Sequence, residues 1–124
     1  MYSSRVGSIK RGQKESLIRK EMGVMLQQLA TEYEALRGLI ISRVQLSDKK
    51  SVATIYFYTP DGEKVFDQKL QELKLFKPSL RKALADHIKG RYVPEIVFRF
   101  DRTVEKKLAI EKTLDQIKDE LKNT

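Results

Sequence analysis

The hydrophobic period of this chain switches from helical to extended and back twice, which limits it to a small set of mixed folds. Between Lys14 and about Glu34, Ile18, Met22, Met25 and Leu29 recur at i, i+4, i+7 and i+11 and line one side of a helix. Leu17, Leu26 and Tyr33 broaden that stripe. From Leu39 to Ser47 and from Val52 to Thr59 the period drops to two. Ile40, Val44 and Leu46 share a face against Arg43 and Gln45, although Leu39 and Ile41 make the start of this segment apolar on both sides. Ala53, Ile55 and Phe57 alternate with Thr54, Tyr56 and Tyr58. Ser47-Asp48-Lys49-Lys50 is a short polar connection, so the two strands form an antiparallel hairpin.

Pro60-Asp61-Gly62 closes the hairpin, because proline lacks a ladder donor and glycine accepts positive φ. A helix follows from Glu63 to about Leu75, with Phe66, Leu70 and Leu73 on its inner face. Pro78 interrupts the register, and a second helix runs from Pro78 or Ser79 to Lys89 with Leu80, Leu84 and Ile88 inward and Gly90 as its cap. A third strand starts at Pro94, where Ile96, Phe98 and Phe100 alternate with Val97, Arg99 and Asp101. Thr103 to Leu121 is helical, with Ile110, Leu114, Ile117 and Leu121 on one stripe. Residues 1–13, rich in serine, glycine and basic side chains, read as a mobile basic arm. The 124 residues hold one core, so the division is an arm (1–13), a domain (14–101) and a C-terminal helix (102–124).

Charge narrows the partners. The net charge of +8 points to a polyanion. It is also segregated: the first twenty residues carry six Lys and Arg against Glu15, and Lys74 to Arg91 carry six against Asp86. Each segment is therefore +5, and the rest of the chain is net acidic by two. With no cysteine and a single histidine, thiol chemistry and thiolate metal sites are excluded and His-based sites are thinly supplied. His87 lies beside an apolar stripe and reads as a packed or half-exposed residue rather than a ligand. No phosphate-binding glycine loop, zinc-protease spacing or nucleophile elbow is present, so neither an enzyme nor a cofactor or metal site is expected. Leu39-Ile40-Ile41 is the longest aliphatic run, against about 20 residues for a bilayer span. No export signal opens the sequence, and a cytoplasmic location is expected.

The element order α-β-β-α-α-β resembles that of type II KH domains, which bind nucleic acid, and it implies an α+β sandwich with a three-stranded sheet covered by helices on one face. Arg91, Val93, Pro94, Glu95, Ile96, Phe98 and Asp101 spell R-x-V-P-E-I-x-F-x-x-D, which resembles the signature of the ribosome-binding factor A family. Lys20-Glu21-Met22 with Met25-Leu26 resembles that family's first helix. Val44, Ser47, Ala53, Ile55 and Tyr56 resemble its strand pair, and Thr103, Glu105, Ile110 and Glu111 its closing segment. The chain departs from the family in placing Phe76, Lys77 and Pro78 where members have a small Ala-x-Gly kink.

The resemblance implies binding to 16S ribosomal RNA and to free, immature 30S subunits. It also implies help with processing of the rRNA 5′ end, a role in cold adaptation and release by an assembly GTPase, as a monomer with no membrane association. The residues add a mechanism. No G-x-x-G loop occurs, so phosphates must be met by side chains. The candidates are Arg5, Lys10, Arg11, Lys14, Arg19 and Lys20 in the first segment, and Lys74, Lys77, Arg81, Lys82, Lys89 and Arg91 in the second. Arg91 could instead pair with Glu95 or a helix carboxylate, and Tyr56 and Tyr58 could stack on bases or simply line an open or covered sheet face. Two other readings stay open: a general KH-like nucleic-acid binder, and an interaction adaptor whose C-terminal helix leaves Ile110, Leu114 and Ile117 exposed.

Overall fold

The computed structural model describes residues 2–88 and 93–123, with side chains from Ile9 onward. Its elements run α1 (Tyr2–Glu32), a 3₁₀ turn (Glu34–Leu36), β1 (Ile40–Leu46), β2 (Val52–Tyr58), α2 (Glu63–Leu75), α3 (Lys77–His87), β3 (Glu95–Phe100) and α4 (Arg102–Lys122). The expected order is present, including the extra C-terminal helix.

The sheet order is β1-β2-β3, with β1 antiparallel and β3 parallel to β2. The parallel pair sets Ala53 beside Ile96, Ile55 beside Phe98 and Phe57 beside Phe100, so period-two apolar residues of both strands face the same side. α1, α2 and α3 cover that side. Ile18, Met22 and Leu26 from α1, Phe66 and Leu73 from α2, and Leu80 and Leu84 from α3 are buried against it. Ile88, just past the end of α3, completes this stripe.

The break between α2 and α3 is a single residue. Phe76 closes α2 through its amide to the Leu73 carbonyl and opens α3 by accepting from the Leu80 amide. Pro78 lies in the first turn of α3, where its missing donor costs nothing. The bend is thus made without the small Ala-x-Gly residues that the resemblance leads one to expect. The proposed Gly90 cap lies outside the described residues.

Three expectations need correction. The segment read as an arm is helical: α1 starts at Tyr2 rather than Lys14. No proline precedes Pro60 to break it, and its inner turns are held to the hairpin, with Glu15 accepting the Leu46 amide at 2.7 Å. Ile40 does not join Val44 and Leu46 in the core but is 53% exposed. The reason is a bulge: Ile41 pairs with Phe57 and Arg43 with Tyr56, which leaves Ser42 as an extra residue and reverses the side-chain parity before it. Leu17 and Tyr33, assigned to the broadened stripe of α1, are both exposed: only the Ile18–Met22–Leu26 line meets the sheet closely, and Tyr33 lies past the end of the helix.

Candidate nucleic-acid interface

One buried carboxylate organises the far end of the sheet. Asp101 is the last residue of the V-P-E-I-x-F-x-x-D run and is 2% exposed. Its Oδ1 caps α4 by accepting the Thr103 amide at 3.1 Å and the Val104 amide at 3.3 Å. Its Oδ2 accepts the Ser42 hydroxyl at 2.6 Å and Arg43 Nε at 3.2 Å. Burial would raise the pKa of this carboxyl, but Ser42, the Val104 amide and the Arg43 guanidinium outweigh it and hold the group below its ordinary 3.8. Nearby, Arg102 pairs with Glu63 at 2.8 Å and ties α4 to the start of α2.

Arg43 also lies over the Tyr56 ring, 3.9 Å from its centroid. That face of Tyr56 is therefore covered, and Tyr58 packs on Phe100 with centroids 6.1 Å apart. Neither ring presents a fully open platform for a base.

The opposite end of the sheet carries the cations. The hairpin turn is set by Ser47, whose hydroxyl oxygen accepts the Ser51 and Val52 amides, each at 3.1 Å, and whose carbonyl accepts the Lys50 amide at 2.8 Å. Lys50 adopts φ 57°, a left-handed turn position filled here by a charged residue. Lys14 from α1, Lys49, Lys50 and Ser51 from the turn, Arg81 from α3, and Val93 and Glu95 at the start of β3 line one cleft of about 520 Å³. Arg81 is oriented there by donating from Nη2 to the Val93 carbonyl at 3.2 Å.

The sequence-selected cations divide by position. Lys14 and Arg81, far apart in the chain, meet in that cleft. Lys10 and Lys82 are exposed on α1 and α3, and Lys74 on the last turn of α2. Arg11 pairs with Asp48 at 3.5 Å. Arg19 and Lys20 line a different groove, between α1 and the exposed edge of β1. Lys77 is half-buried, its Nζ 5.9 Å from the Phe98 ring centroid. The side chain of Arg5, and Lys89 and Arg91 entirely, lie outside the described residues, as does the question of an Arg91–Glu95 pair. His87 pairs with Glu21 of α1 at 3.6 Å, a contact between core helices.

Sequence reasoning missed Lys49 and Lys50, read only as a polar connection. Their signal was two adjacent lysines at a hairpin tip, which acquires meaning only when α1 and α3 are seen to approach it. Among the described residues no group of three or more His, Asp or Glu is placed to hold a metal ion, and no helix is long and apolar enough to cross a membrane.

These features define a KH-like α+β domain without a glycine clamp, with its cations carried on helices and a hairpin turn. The family model for ribosome-binding factor A matches residues 10–114. Ribosome-binding factor A of Prochlorococcus marinus (strain AS9601) is 34% identical over 110 residues, covering 87% of this chain and 84% of that protein. The same factor from Syntrophomonas wolfei is 33% identical over 88 residues, covering 71% and 72%. The crystal structure of ribosome-binding factor A from Thermus thermophilus superposes with a TM-score of 0.64 at 25% identity, covering 74% of this chain and 96% of that one. The chain belongs to the ribosome-binding factor A family. It is thus a ribosome-binding factor of KH-like fold.

Proposed function

We propose that this protein binds 16S ribosomal RNA on free 30S subunits and assists their late maturation, including processing of the rRNA 5′ end. In this reading it works in the cytoplasm as a monomer, matters most in the cold and leaves with the help of an assembly GTPase. It performs no bond chemistry; docking across phosphates favours one arrangement of RNA helices over others. The observation that carries this reading is electrostatic. Among the described residues Lys14, Lys74, Arg81 and Lys82 have no carboxylate within 4 Å, so their charge is available to a polyanion.

Reversing charge in the Arg81→Glu/Lys82→Glu double variant is expected to weaken binding to small-subunit rRNA about 10- to 100-fold near 0.1 M salt. It should also flatten the log–log salt slope by about one per lost phosphate contact. Filter binding across a salt series reads both. Unchanged affinity would remove α3 from the interface, and sedimentation with translating ribosomes rather than free small subunits would overturn the maturation role.

A second reading has its own observation. Ile110, Leu114, Ile117 and Leu121 are 47–70% exposed, and no residue of α4 is buried. The adaptor reading requires this exposure. If α4 docks a protein, Ile110→Lys/Leu114→Lys/Ile117→Lys should abolish capture of that protein by the full-length chain while its rRNA affinity stays within twofold. Equal losses of both would return the stripe to the RNA interface.

A further inference from the structure

The hairpin turn does more than connect β1 to β2. The geometry points to a phosphate seat at its tip, where Lys49 and Lys50, together with Lys14 and Arg81, grip the phosphodiester backbone of RNA. This inference rests on the RNA-binding reading above and deepens it: the phosphate-gripping loop of this KH-like domain is the β1–β2 turn rather than a segment between two helices.

Four features carry it. First, four cations from three separate elements converge on one cleft in which, among the described residues, Glu95 is the single carboxylate. Like charges so placed raise each other's energy unless an anion fills the space between them. Second, the turn's own acid is diverted, since Asp48 points to Arg11 and does not line the cleft. Third, the seat is built before any ligand arrives. Ser47 fixes the turn through three backbone amides, the Ser51 carbonyl accepts the Glu95 amide at 2.9 Å, and the Val93 carbonyl orients the Arg81 guanidinium. That orientation uses one guanidinium nitrogen and leaves the remaining donors for phosphate oxygens. Fourth, the α2–α3 junction is poorly placed for the same task, because Lys77 sets its Nζ 5.9 Å from the Phe98 ring centroid and does not line the cleft.

The open cleft also selects the source of the phosphate. Lysines in contact with water hold a lone anion weakly, because screening removes most of the attraction. A polymer that also reaches Lys82 and Lys10 adds contacts and releases counterions at each one. RNA is therefore favoured over free inorganic phosphate.

The test measures binding of the full-length protein to small-subunit rRNA from 50 to 300 mM salt, with inorganic phosphate as a separate titrant. Lys49→Glu/Lys50→Glu should lower affinity about 10- to 100-fold near 0.1 M salt and reduce the salt slope by about two, one per lysine. Lys49→Gln/Lys50→Asn removes the charges and places asparagine at the left-handed position, which it tolerates better. This variant should keep the wild-type Tm and still lose affinity, so the loss is one of contact and not of folding. Wild-type affinity and slope in both variants, with Arg81→Glu/Lys82→Glu still impaired, would overturn the seat and leave the RNA reading standing. A wild-type protein that fails to bind the rRNA at 50 mM salt would overturn both. Saturation by millimolar inorganic phosphate, lost in the lysine variants while their RNA binding stays intact, would make this a small-anion site and overturn the proposal.

Discussion

Replacing Asp101 with alanine is expected to destabilise the domain by about 3 kcal/mol. Loss of the α4 cap accounts for about 1 kcal/mol, and loss of charge-assisted bonds from Ser42 and Arg43 for about 2 more. The substitution leaves the half-buried Ser42 hydroxyl only the Tyr56 carbonyl, 3.2 Å away, and leaves the first amides of α4 without their acceptor. Urea denaturation should show a lower midpoint with an unchanged slope. Asp101→Asn keeps an acceptor for the cap and should lose about half as much. The pH dependence has a definite sign. The folded carboxyl titrates below 3.8, so it stays charged where the unfolded one has taken up a proton. Its contribution is complete above about pH 5, a unit above the unfolded value, and is lost as pH falls through the folded value. The gap between wild type and Asp101→Asn should therefore be constant from neutral pH to about 5 and shrink below 4. A gap that persists unchanged at pH 2 would contradict the assignment.

Phe57→Ala is expected to cost about 4 kcal/mol, a large share of the roughly 5–15 kcal/mol that holds a domain of this size together. Phe57 is fully buried in the central strand, and its ring meets Phe66 of α2 with centroids 5.9 Å apart and Phe98 of β3 at 5.6 Å. Truncation removes both aromatic contacts and leaves a cavity that a strand bonded on both sides cannot close. Phe57→Leu should cost less than half as much, because most of the volume remains. Calorimetric melting of the two variants gives the comparison; equal losses would indicate that ring packing is not what Phe57 contributes.

Local pattern carried most of the fold. β2 and β3 were legible because strict alternation in Ala53-Ile55-Phe57 and Ile96-Phe98-Phe100 matches a sheet covered on one side. The α2–α3 break was legible because proline removes a donor wherever it stands. What failed was non-local. The parity of β1 could not be read, because the bulge that reverses it is held by a bond between Ser42 and Asp101, 59 residues apart. The start of α1 was obscured because glycine and serine disfavour helix locally, while the contacts that hold its inner turns come from the hairpin. At the candidate interface, charge segregation selected Lys14 and Arg81 but could not show that they share a cleft. It also passed over Lys49 and Lys50, whose place in that cleft depends on what packs beside them. The last aspartate of the family signature was visible as a letter, whereas its work as a cap and a tether was not.

The extra residue at Ser42 has a consequence for the molecule in a crowded cell. β1 is an outer strand, and it displays Ile40 to solvent, which would make a straight version of it a template for a second chain to add on. The kink spoils the even spacing of amides and carbonyls along that rim, and Arg43 places a cation beside it. A strand approaching from another molecule finds no regular ladder to extend. The same irregularity that seats Asp101 therefore also makes this edge a poorer template for an added strand.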